Sequence, residues 1–132
     1  MGAWGSGTFE NDDASDWVYE LEQASSWDLV HRTLAVAAEP TGYLEAPDCS
    51  AALAAAEVVA AAVSRPAANL PEEILAWVST HGAQVPHDLA ALSVRAIDRI
   101  TVDSELRELW DETGEANAWS AAVRALRERL AG

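Results

Sequence analysis

The chain contains no lysine; all eight of its basic residues are arginine, at positions 32, 65, 95, 99, 107, 124, 127 and 129. Two chemical devices are thereby excluded, the Schiff-base amine and the phosphate-binding lysine of a P-loop. Cysteine is nearly as scarce. With Cys49 alone there is neither an internal disulfide nor a CxxC metal pair, which fits a reducing compartment. The N-terminus lacks the basic and apolar regions of a signal peptide, so a cytoplasmic location is expected. The most apolar stretch, 51–63, is interrupted by Glu57 and falls short of the ~18 apolar residues that a membrane-spanning helix needs.

Positive charge of any kind is in short supply. Against eight bases stand 22 acids, for a net charge of −14. The imbalance is uneven: residues 1–64 carry 11 acids and only Arg32, whereas residues 65–132 carry 11 acids and seven arginines. Binding to nucleic acid requires a basic face to neutralise phosphates, and none of that size is available. The expected partner is cationic, a basic protein, a peptide or a metal ion. The ordinary alternative is that the net charge only keeps a small domain soluble.

What the chain does have is apolar mass. Half of its 132 residues are hydrophobic, and Trp4, Trp17, Trp27, Trp77, Trp110 and Trp119 distribute large side chains along its whole length. One domain covering residues 1–132 is expected. Apolar spacing predicts an all-α bundle of about seven helices, since no segment alternates as a half-buried strand would. Ala14, Trp17, Val18 and Leu21 define the inner face of a helix over 12–23. Ser25 and Asp28 have capping-box spacing for a second helix that ends before Pro40. Asp48 is placed to cap a third running to Ser64, apolar nearly all round and therefore central. Pro71 opens a fourth and Pro86 a fifth; Asp103 can cap a short sixth stopped by Gly114; the last runs from about Glu115 to Leu130.

Three features could carry chemistry. The opening Gly2-Ala3-Trp4-Gly5-Ser6-Gly7 has three glycines in six positions, a costly choice unless the backbone turns sharply or approaches something closely. A phosphate loop is a poor match, because no strand precedes it, no GK[ST] follows, and Asp12, Asp13 and Asp16 would repel an anion. Next come Asn11, Asp12, Asp13, Asp16 and Glu20, with Asp12, Asp16 and Glu20 spaced on one helix face. Helix capping and the helix dipole account for the first of these, while Mg²⁺ or Ca²⁺ held by Asp12, Asp16 and Glu57 is the chemical alternative. Third is Glu57, the lone charge between Asp48 and Arg65. A buried carboxylate must find an arginine, a polar network or a metal, and Arg32, Arg95 and Arg99 are candidate partners. The histidines at 31, 81 and 87 show no ligand spacing, and no serine sits in a GxSxG elbow.

The run from Met1 to Trp17, MGAWGSGTFENDDASDW, resembles the opening of a bacterial family known as domain of unknown function 4259. Residues 51–60 (AALAAAEVVA) and 104–110 (SELRELW), with Trp119 beyond them, agree with it. The resemblance covers essentially the full chain, and its opening motif is the specific part. It implies no activity, cofactor or catalytic residue that can be carried over.

From the residues themselves, the leading expectation is a small acidic binding domain, of the immunity-protein or antitoxin kind, that docks a basic protein through its N-terminal half. Opposite surface charge would speed that association and select the partner. The candidate functional cluster is Trp4, Gly5, Asn11, Asp12, Asp16 and Glu57. The competing expectation is a divalent-metal-binding protein or small hydrolase that uses Asn11, Asp12, Asp16 and Glu57 as oxygen ligands. A pocket for a small cation lined by Trp4, Trp17 and Trp110 comes third.

Overall fold

The structure, a computed structural model, describes residues 11–39, 42–63, 70–114 and 116–131. The Gly- and Trp-rich opening, with Trp4 and Gly5, lies outside them. Among the described residues are seven α-helices and no strand: α1 (Asp12–Glu22), α2 (Asp28–Ala38), α3 (Ala46–Ala62), α4 (Glu72–His81), α5 (Leu89–Val102), α6 (Glu105–Asp111) and α7 (Ala116–Ala131). The expected all-α bundle is the observed one.

Helix α3 is the axis of the bundle and touches each of the other six. Its composition explains why. Ala52, Ala54, Ala55, Ala56 and Ala60 are all buried, and methyl side chains let neighbouring helices approach closely on every side. Longer residues on the surrounding helices fill the space around this slim rod. Leu21 of α1, Leu34 of α2, Ile74 of α4, Ile97 and Ile100 of α5 and Leu126 of α7 are essentially fully buried.

The helix ends show where local reading succeeds and where it fails. Asn11 caps α1, its Oδ1 accepting the Ala14 N–H at 2.8 Å. Ser25 is not the cap of α2; Trp27 occupies that position, and it is Ser26 Oγ that accepts the Asp28 N–H, at 3.3 Å. Trp27 is held there by tertiary contacts, its indole N–H donating to the His81 carbonyl at 3.0 Å and its ring meeting Trp77 edge-on at 4.8 Å. Nor does Asp48 cap α3, which starts two residues earlier, where the Ala46 N–H donates to Glu105 Oε1 of α6 at 2.7 Å. Ser104, rather than Asp103, caps α6, accepting the Arg107 N–H at 3.1 Å while its own hydroxyl donates to the Ile100 carbonyl. Asp103 is instead the residue that closes α5. Gly114 does lie beyond α6, with φ at +79°, a conformation that favours glycine.

Candidate functional site

Glu57 sits in the middle of α3 and is 5% exposed. Its partner is Arg129, three residues beyond the buried Leu126 on α7. The guanidinium donates from one nitrogen to Oε1 at 2.8 Å and from the other to Oε2 at 3.2 Å, the fork-to-fork geometry in which arginine binds a carboxylate best. None of the three arginines expected as partners fills that role. Arg95 pairs with Glu39 at 3.5 Å, Arg99 donates to the Asp103 carbonyl, and Arg32 lines a surface groove. The physical reason is topological: α7 lies directly against α3 and delivers Arg129 to its apolar centre. This pair ties α3 to α7, and Arg127 with Asp98 ties α7 to α5 by a second two-pronged contact, at 2.6 and 3.1 Å, about half exposed.

The carboxylates proposed as metal ligands do not converge. Asp12 and Asp16 are exposed on α1, whereas Glu57 is buried and engaged by Arg129. Among the described residues no group of three or more His, Cys, Asp or Glu is placed to hold a metal ion. Asn11 spends its side chain on capping α1. Of the tryptophans suggested for a cation pocket, Trp17 and Trp110 are both buried, and the Trp17 indole donates to Thr33 Oγ1 at 2.9 Å.

The acids of the N-terminal half instead form a surface. Between residues 11 and 63, Asp12, Asp13, Asp16, Glu20, Glu22, Asp28, Glu39, Glu45 and Asp48 are all exposed, and only Glu57 is buried. Of the nine, only Glu39 makes an ion pair among the described residues. Helix α1 carries five of them, an acidic ridge bordered on each side by a shallow groove. Toward α2 and α3 a groove of about 240 Å³ is lined by Glu20, Arg32, Val36 and Asp48 over Trp17. Toward α4 a groove of about 270 Å³ is lined by Ser15, Val18, Tyr19, Glu22, Pro71 and Glu73. Tyr19 is 68% exposed on the ridge between them.

The environments of Cys49 and His81 escaped sequence reading. Cys49 is fully buried where α3 meets α6, and burial pushes its thiol from an ordinary 9.0 up to about 11, against smaller opposing effects of the nearby Ser104 side chain and Leu106 backbone. Such a thiol is inert at neutral pH. His81 stacks on Trp77 at 4.3 Å and contacts the Trp77 carbonyl through Nδ1, so it belongs to the packing between α4 and the α1–α2 connection rather than to the free surface.

A helical bundle threaded on an alanine-rich rod, with a buried ion pair and an acidic outer ridge, defines the class. No helix of the described residues is long and apolar enough to cross a membrane. The chain belongs to the family described as "Domain of unknown function (DUF4259)", whose model matches residues 2–122. No curated protein and no solved structure matches the chain.

Proposed function

We propose that this protein is a small acidic binding domain that docks a basic partner protein through the face built on α1, in the manner of an immunity protein or antitoxin. What carries the proposal is the set of eight exposed carboxylates in α1–α3 and their connections that have no ion-pair partner among the described residues, beside one arginine, Arg32. An excess of exposed like charges is self-repelling and makes the local potential negative, which destabilises the free domain and favours a cationic partner. Asp12, Asp16 and Glu20, one helical turn apart, cost α1 a few tenths of a kcal/mol per pair while unbound. A cytoplasmic location belongs to the same proposal, because the lone Cys49 is buried as a free thiol.

The test is affinity capture from the native host by the wild-type chain and by a variant carrying Asp12→Asn, Asp13→Asn and Asp16→Asn. A basic protein should be retained at low salt, released at high salt and lost from the variant. Identical captures by the two chains would contradict the proposal.

A further inference from the structure

Helix α1 ends against its own dipole. Its last turn holds Glu20 and Glu22, both exposed, and no basic residue. Carboxylates at the carbonyl end of a helix are unfavourable until a cation arrives. Glu22 also shares the α1–α4 groove with Glu73, and neither has an ion-pair partner among the described residues. The same groove offers the exposed ring of Tyr19, apolar walls from Val18 and Pro71, and the Ser15 hydroxyl.

We infer that this groove receives an arginine side chain of the docking partner, with the guanidinium on the Tyr19 ring between Glu22 and Glu73; the inference rests on the docking proposal above. Guanidinium fits better than ammonium for three reasons. It is planar and stacks on an aromatic face, its fork can reach two carboxylates, and it gives up water more readily. Val18 and Pro71 are suited to the aliphatic stem. The other grooves are less suited to a cation. Arg32 already lines the α1–α2 groove, and in the groove beside α6 three of the four carboxylates are already engaged, Glu105 by the Ala46 N–H, Glu108 by the Tyr43 hydroxyl and Asp111 by Arg107.

The full chain labelled with 3-fluorotyrosine gives two ¹⁹F resonances, from Tyr19 and Tyr43, and the probe is N-acetyl-arginine amide. The Tyr19 resonance should shift and saturate while that of Tyr43 stays in place. The lysine analogue should bind more weakly, by about two- to fivefold, because its ammonium can neither stack flat on the ring nor fork to two carboxylates, and Glu73→Gln should weaken the arginine probe while leaving the Tyr43 resonance unmoved. Parallel, unsaturating shifts of both tyrosines, equal binding of the two amides, or indifference to Glu73→Gln would overturn the assignment. The two proposals fail separately. A host partner lost on neutralising α1, with Tyr19 blind to the arginine probe, refutes the groove and spares the docking face. A saturating Tyr19 shift with no salt-sensitive partner supports the groove and refutes the docking face.

Discussion

Arg129 and Glu57 are 72 residues apart in sequence and meet in a two-pronged ion pair, the carboxylate side chain 6% exposed and the guanidinium side chain 25%. Removing one member takes this two-pronged contact from the other in a poorly solvated place. Glu57→Ala should destabilise the fold by about 3 kcal/mol, the lower end of the range for broken buried pairs, because Arg129 can partly rehydrate. The double variant Glu57→Leu/Arg129→Met should cost less than either single change, since no uncompensated charge remains. Arg127→Ala, at the more exposed pair with Asp98, should cost less than Glu57→Ala. Urea unfolding of these variants and of the single changes checks the order.

Cys49 makes stability fall at alkaline pH. The folded chain holds the thiol proton up to about pH 11, whereas the unfolded chain releases it near 9.0. Between those values the unfolded state binds fewer protons, so each step up in pH favours unfolding, with a loss on the order of 2 kcal/mol by pH 11. Below pH 9 the contribution is fully present. Cys49→Ala should flatten this part of the pH profile relative to wild type, and in the native protein the thiol should react with alkylating reagents only on unfolding.

Close approach around α3 depends on methyl side chains. Ala55→Leu, at a fully buried position, should destabilise by about 2 kcal/mol, because a close-packed site accommodates extra methylenes only by moving a neighbouring helix. Thermal unfolding of this variant beside Ala61→Leu, the same change at a half-buried position of the same helix, separates packing from helix propensity.

With Glu57 engaged by Arg129, and Asp12 and Asp16 apart from it on the surface, calorimetric titration with Mg²⁺, Ca²⁺ or Mn²⁺ should give no saturable heat that Asp16→Ala abolishes. A tight, stoichiometric heat that Asp16→Ala removes would favour the metal-binding reading instead.

Legibility in the sequence followed locality. The inner face of α1 and the centrality of α3 are written in apolar spacing and alanine content, and both are observed. The caps of α2 and α3 were misplaced because distant residues decide them: His81 holds Trp27, and Glu105 receives the first N–H of α3. The lone charge of Glu57 signals a need for a partner, but arginines near the end of α7 also suit the carbonyl end of that helix, so nothing local marks one of them as that partner. The useful signal was the spacing of Arg129, three residues after Leu126, which puts it beside the buried stripe. The α1–α4 groove had no sequence signature, because Glu22 and Glu73 become neighbours only through the packing of two helices.

The docking face is tested most directly by photo-crosslinking in the native host. A benzophenone amino acid is placed at position 19, on the acidic ridge, or at position 102, an equally exposed site at the end of α5; Tyr19 and Val102 are both 68% exposed. At low salt, position 19 should capture one basic protein that position 102 does not, and the adduct should fade as ionic strength shortens the reach of the surface charge. No adduct at position 19, or the same adduct from both positions at any salt, would contradict the account.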